Sequence, residues 1–264
     1  MTGLVDPVDR AARDAFSASY GNPAFGPVTV VIPAYREQAT IGAVVREVPT
    51  SVLGLSVTIL VIVDGAEDDS ASVAAAAGAY VCATPVNRGQ GAALRLGYHL
   101  AVEHGARYLV SLDADGQYDP AEIETVLRPI VDGDADFVSG SRRLGANLQG
   151  DNVRRAGVVV YAWLITLLTR HRITDPSFGL RAMRGEVALA VTLTQAQFQA
   201  SELLIGAIMR GFRVAERPAV MRRRAGGTSR KGPNLVYGYR FGRVVVGTWW
   251  RERRAMRTTR GGTP

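Results

Sequence analysis

The chain has 264 residues, 47% of them apolar, enough to bury the core of one large domain. Its one cysteine, Cys82, excludes an internal disulfide and a cysteine-rich zinc site, and reads as a core residue of a protein kept in a reducing compartment. Charge divides the chain: residues 1–139 carry 8 Arg against 18 acids and residues 140–264 carry 23 Arg and Lys against 6, for a formal net of +7, so an anionic partner is expected on the C-terminal half.

The N-terminal stretch is polar and acidic, without the apolar run of a secretory leader, and residues 1–26 are expected to form a poorly ordered tail. Strands are predicted at 28–33, 57–63, 79–83, 107–112 and 136–139, with helices at 40–48, 70–77, 91–104 and 120–131 between them. Such alternation means βαβ units and a mostly parallel α/β sheet, whose ligands bind beyond the carboxyl ends of the strands. Three of those ends carry polar signatures: Pro33-Ala34-Tyr35-Arg36-Glu37, Asp64-Gly65-Ala66-Glu67-Asp68-Asp69-Ser70 and Asp113-Ala114-Asp115. Beyond 140 the pattern weakens to a helix at 154–169, a turn at Asp175-Pro176, a helix at 199–210, a strand at 213–216, a basic glycine-rich loop at 222–232, a helix at 235–254 and a tail from 256. The longest apolar run, 157–168, is shorter than the ~20 residues of a spanning helix.

Asp113 and Asp115 follow an apolar run that reads as a buried strand. In an extended segment, side chains two apart point the same way, so both carboxylates can converge on one hard cation such as Mg²⁺ or Mn²⁺. The alternative is a loop cap, since Asp and Gly are common in turns. Gly89 and Gly91 read as structural positions at a helix start.

Taken in order, Val31-Ile32-Pro33-Ala34-Tyr35-Arg36-Glu37, Ile62-Val63-Asp64-Gly65, Asn87-Arg88-Gly89-Gln90-Gly91 and Leu112-Asp113-Ala114-Asp115-Gly116-Gln117 resemble family 2 of the inverting glycosyltransferases, which have the GT-A fold. Gly140-Ser141-Arg142, Asp175-Pro176-Ser177-Phe178-Gly179-Leu180-Arg181 and Arg224-Ala225-Gly226-Gly227-Thr228-Ser229-Arg230 resemble its polyprenol-phosphate (dolichol-phosphate) mannosyltransferase branch. The resemblance implies a GT-A domain over 27–231, with a nucleotide half (27–140) and an acceptor half (141–231), followed by a basic C-terminal helix and tail (232–264). It implies that Pro33, Tyr35 and Glu37 border the nucleotide of a nucleotide-diphosphate sugar and that Asp64 hydrogen-bonds the base. Asp113, Asp115 and Gln117 would bind or flank Mg²⁺ or Mn²⁺ on the diphosphate. Arg142, Arg154, Arg181, Arg224 and Arg230 would clamp phosphate, whereas Arg143, Arg222 and Arg223 read as solvated surface.

The chain departs from that pattern. Val63 stands where an Asp is usual, Ala66 where a Ser is, and Arg36 where an Asn is. Val158 and Ala162 replace a Ser and an Asn expected on the helix after Arg154, which weakens the lipid-phosphate assignment more than the enzyme assignment. A polyprenyl phosphate is already anionic and needs orientation rather than a base. A hydroxyl acceptor would need one, and Glu202 and Asp175 are the candidates. A catalytically silent nucleotide- or membrane-binding protein is the reading from another class. Nucleic-acid binding lacks an aromatic-interleaved or helix-turn-helix motif. With no spanning helix, membrane contact is expected to be peripheral, at the cytoplasmic face, through Tyr161, Trp163, Leu164, Leu167, Leu168, Val244, Val245, Val246, Trp249 and Trp250 with their flanking arginines. Core packing or a dimer interface is the competing use of these segments.

Overall fold

The computed structural model describes residues 6–65, 67–148, 152–223 and 234–260. In chain order it has α1 (Pro7–Tyr20), β1 (Val28–Ala34), α2 (Ile41–Glu47), β2 (Ser51–Val52), β3 (Leu55–Asp64), α3 (Ser70–Ala76), β4 (Tyr80–Thr84), α4 (Gln90–Glu103) and β5 (Tyr108–Ser111). A 3-10 turn (Pro120–Glu122) then runs into α5 (Ile123–Val131), followed by β6 (Phe137–Asn147), α6 (Asn152–Thr169), β7 (Arg181–Arg184), α7 (Gly185–Ala190), α8 (Gln199–Met209), β8 (Val214–Met221) and α9 (Asn234–Arg260).

The strands form one sheet in the order β2-β3-β1-β5-β7-β6-β8, with β4 also on the outer edge of β3. Pairs β1–β3, β1–β5, β3–β4 and β6–β8 are parallel, while β7 runs antiparallel to both β5 and β6. Successive side chains along each strand point to opposite faces, and the core divides accordingly. Val31, Leu60, Ile62 and Leu109 join α1, α4 and α7–α9 on one face. Val30, Ile32, Val61, Val63 and Val110 join α2, α3 and α5 on the other. Val63 is thus a core residue, 2% exposed. The result is a three-layer α/β/α fold with helices on both faces.

Residues 7–20 are not a poorly ordered tail. Asp6 accepts from the Val8 N–H at 2.9 Å, Pro7 opens the helix, and the Gly21 N–H returns to Ser17 O. That Asp-Pro pair is an N-cap signal readable in the sequence. Phe16 is 2% exposed and packs among Phe25, Tyr80 and His104. The C-terminal tail also starts later than expected, since α9 continues to Arg260. The short strand expected at 136–139 extends through Asn147 because β8 pairs along it, with a register shift between Ser141 and Ala146.

Phe16→Ala is expected to destabilise the protein by about 3–5 kcal/mol, the cost of emptying a buried aromatic site. Urea unfolding measures it, and an unchanged midpoint would mean that α1 does not belong to the core.

Candidate functional site

The site begins where two central strands part. β1 pairs with β5 from Val28–Tyr108 to Val31–Ser111, yet it stays on β3 through Ala34–Val63. Pro33 carries no N–H, so it cannot extend the ladder toward β5. The opening becomes a cleft of about 760 Å³ at the carboxyl ends of the strands. Pro33, Tyr35, Glu37, Asp64, Asp113, Asp115, Gln117, Arg142 and Arg181 all line it. Arg154 falls in the first turn of α6, and its side chain lies outside the described residues, as do Ala66, Arg224 and Arg230.

Asp113 and Asp115 do not face one way by strand alternation, because β5 ends at Ser111 and residues 114–115 turn. The turn itself brings both to the cleft. Asp113 Oδ1 accepts from Gln90 Nε2 at 2.7 Å, and Asp115 Oδ1 from the Gln117 N–H at 3.1 Å. The turn is clamped from the segment that leads into β7. Gly179 donates its N–H to Tyr118 Oη at 2.9 Å and accepts from Ser111 Oγ at 3.0 Å. A Cβ at residue 179 would lie 2.5 Å from the Tyr118 ring and 2.7 Å from Asp113 Oδ2, so glycine is required for this approach. Burial first, and then the negative charge of Asp113, push the Tyr118 hydroxyl pKa far above its usual range, so it stays protonated.

Asp64, 3% exposed, closes the first βαβ unit. Its Oδ2 accepts from the N–H groups of Arg88 at 2.9 Å and Gly89 at 2.6 Å, and its Oδ1 from Thr84 Oγ1 at 3.2 Å. The carboxylate therefore fixes the loop after β4 as well as facing the cleft. Glu37 caps the approach to α2, its carbonyl accepting from the Thr40 and Ile41 N–H groups and its Oε2 from Thr40 Oγ1 at 3.0 Å. Before it, Arg36 has φ +57°, with its guanidinium 5.3 Å from the Tyr35 ring centroid. The left-handed region is one that Asn tolerates and Arg does not favour, a physical reason for the Asn usual in the resembled family.

The basic wall comes from the second half. Arg142 Nε and Nη2 bind both oxygens of the fully buried Asp175, at 2.6 and 3.2 Å, and Nη2 also reaches Ser177 Oγ at 3.1 Å. Its guanidinium lies 5.6 Å from the Phe178 ring centroid. Arg181, 3% exposed, donates through Nε to Phe178 O at 2.6 Å, while its buried Nη1 has no hydrogen-bond partner among the described residues. The two base candidates are unsuited to that task. Asp175 is engaged by Arg142, and Glu202, also fully buried, accepts from the Thr194 and Gln195 N–H groups and from Arg251 Nη1. Arg143 and Arg223 are exposed, as read from the sequence, whereas Arg222 pairs with Asp119.

Sequence reasoning missed one wall. Ala196, Gln197, Phe198, Gln199 and Ala200 line the cleft, together with Phe241 of α9. This segment packs onto the start of α4, where the Gly91 N–H donates to Ala196 O at 3.2 Å. A Cβ at residue 91 would sit 1.8 Å from Gln195 O, which gives Gly91 the structural role expected of it. No motif marks these residues, and the left-handed Phe198 (φ +68°) is visible only in the folded chain.

Residues 29–188 match the family Glycosyl transferase family 2, and the chain belongs to that family. It is 31% identical over 234 residues to a dolichyl-phosphate hexose transferase of Haloferax volcanii, covering 87% of this chain and 96% of that protein. It is 30% identical over 229 residues to the polyprenol monophosphomannose synthase of Mycolicibacterium smegmatis, covering 78% of this chain and 82% of that one. Among solved structures, glucosyl-3-phosphoglycerate synthase from Mycobacterium tuberculosis, in complex with Mn²⁺, uridine diphosphate and phosphoglyceric acid, matches with a TM-score of 0.66 at 23% identity. That match covers 90% of this chain and 80% of the other, and it shows the shared GT-A fold. The protein is a glycosyltransferase.

Arg36→Asn is expected to raise unfolding stability by about 0.5–1 kcal/mol, by relieving the left-handed backbone cost. Thermal and urea unfolding measure it, and a loss of stability would mean that the Arg36 contact on Tyr35 outweighs the strain.

Proposed function

We propose that the protein moves a hexose, with inversion, from a nucleotide-diphosphate sugar to a polyprenyl phosphate at the cytoplasmic face of a membrane. The observation that carries this reading is the pairing, in one cleft, of Asp113 and Asp115 with Arg142 and Arg181. The names of the two relatives point to the same class of acceptor. In this reading Pro33, Tyr35 and Glu37 border the nucleotide, and Asp64 meets the base while holding residues 88 and 89. Arg154, Arg224 and Arg230 would join Arg142 on the phosphates.

A divalent ion suits the acidic side. Asp113, Asp115 and Gln117 offer oxygen donors, the chemistry preferred by Mg²⁺ and Mn²⁺. Two carboxylates and an amide fall short of a full coordination shell, so diphosphate and water oxygens would complete it. When bound, such an ion offsets the negative charge that builds on the departing nucleoside diphosphate. Arg142, held in place by Asp175 and Ser177, is positioned to orient an anionic acceptor. A monophosphate is its own nucleophile, which agrees with the engagement of Asp175 and Glu202 elsewhere.

The lipid acceptor also needs a route to the bilayer. Among the described residues, no helix is long and apolar enough to cross a membrane. The expected membrane residues divide in two. Val244 and Val245 are buried, Leu164, Leu168 and Trp249 pack against the core, and Tyr161 hydrogen-bonds Gly238 O. Of the expected residues, Trp163 and Leu167 of α6 and Val246 and Trp250 of α9 stand outward, and Val160 and Tyr239, which were not among them, stand beside them in the exposed set. Arg254 lies 4.9 Å over Trp250, and Arg243 and Arg253 are also exposed. Exposed aromatic and aliphatic side chains among arginines suit an anionic bilayer interface.

Asp115→Ala is expected to abolish sugar transfer while the protein remains folded by circular dichroism, and excess chelator should do the same to the unaltered enzyme. Full activity under either condition would contradict the metal-dependent reading. In a second measurement, the protein should sediment with phosphatidylglycerol vesicles, less so as salt rises, and Trp163→Ser with Trp250→Ser should release it. Protein that stays in the supernatant at low salt would favour a soluble acceptor.

A further inference from the structure

The family match begins at residue 29, so α1 lies outside it. Its first turn is nevertheless tied to the donor side of the cleft. Asp9 is fully buried, and its two oxygens accept from Arg88 Nη2 at 2.5 Å and Arg95 Nη2 at 3.1 Å. Asp6 caps the helix with one oxygen and accepts from Arg88 Nη1 at 2.6 Å with the other. A carboxylate as buried as that of Asp9 needs matching charge, and two guanidiniums supply it.

Neither arginine lines the cleft, but each holds a segment that does. Asn87, Gly89 and Gln90 beside Arg88 are cleft residues, and the Arg88 and Gly89 N–H groups bind Asp64. Residue 88 is therefore gripped by Asp64 through its main chain and by α1 through its side chain. Arg95 donates through Nη1 to Leu193 O at 3.2 Å, just ahead of the wall formed by Ala196, Gln197 and Phe198. Asp9 thus joins two walls that share no regular secondary structure with each other, and neither loop has a sheet ladder to hold it.

We infer that α1 braces the donor half of the cleft, with Asp9 as a positioning residue that acts through Arg88 and Arg95 on the walls enclosing the nucleotide. The inference rests on the reading of this cleft as a nucleotide-sugar site. Walls fixed in advance lower the ordering cost of binding. Loosening them should weaken nucleotide affinity without removing any group that touches the nucleotide.

The test is calorimetric titration of the full chain with UDP and with GDP in Mn²⁺, alongside thermal unfolding. Asp9→Asn preserves shape while removing charge, and Arg88→Ala breaks the same link from a partly exposed position. Each variant, still folded at the assay temperature, is expected to bind the preferred nucleotide about tenfold more weakly, the scale of one lost charge-assisted hydrogen bond. The double variant should lose less than the sum of the two single losses, since both variants cut the Asp9–Arg88 link. Ile130→Val, a buried α5 position on the opposite face of the sheet, serves as the stability control and should leave affinity unchanged. Folded Asp9→Asn and Arg88→Ala proteins that bind like the parent would overturn the brace alone. An equal loss of affinity in Ile130→Val would overturn it too, by reducing the effect to general destabilisation. A parent protein that binds neither nucleotide would overturn the donor-site reading and the brace together.

Discussion

Everything at the site depends on the parting of β1 from β5 after Val31 and Ser111. A parallel ladder continued for two more residues would leave no space between these strands. Pro33 cannot donate to such a ladder, while its partner Ile62 on β3 keeps the other side closed. The sheet thus opens on one side of β1 only. The polar segments after β1, β3 and β5 then turn into the same space, as expected for ligand sites at the carboxyl ends of strands in open α/β sheets.

The antiparallel β7 gives the opening its chemistry. Lying between β5 and β6, it brings the 175–181 segment from the basic half of the chain against the Asp113–Gln117 turn from the acidic half. Gly179 makes the contact, and Arg142 and Arg181 follow from the elements on either side. The uneven charge along the sequence is resolved in three dimensions as one cleft with an acidic and a basic wall. The buried Asp175 holds Arg142 in place, and the exposed Gln90 holds Asp113. Fixed charges in a partly enclosed site reorganise little when a reaction moves charge through it, and that is their catalytic value.

Much of this architecture is legible in the sequence because buried parallel strands appear as continuous apolar runs and their polar exits stand out against them. The residues at those exits were therefore the ones found. β7 escaped because it is four residues long with arginine at both ends, and Arg181 is buried only through Phe178 O and its neighbouring strands. Asp113 and Asp115 both reach the cleft, as the sequence suggests, but a turn rather than an extended strand brings them there. The second task of Asp64 lies in hydrogen bonds to residues more than twenty positions away, which no local pattern encodes. α1 carried a readable cap in Asp6-Pro7, but its polar surface concealed the aromatic packing of Phe16.

The proposed reaction is transfer of sugar in this cleft to a lipid monophosphate. The most direct measurement incubates the protein and Mn²⁺ or Mg²⁺ with a panel of nucleotide-diphosphate sugars, with and without a short-chain polyprenyl phosphate, and analyses the lipid fraction by mass spectrometry. The expected result is one preferred donor, release of its nucleoside diphosphate that rises sharply when polyprenyl phosphate is added, and a glycosyl phosphopolyprenol of β configuration from an α-linked donor. Donor turnover indifferent to polyprenyl phosphate, with sugar recovered on a soluble hydroxyl compound instead, would contradict it.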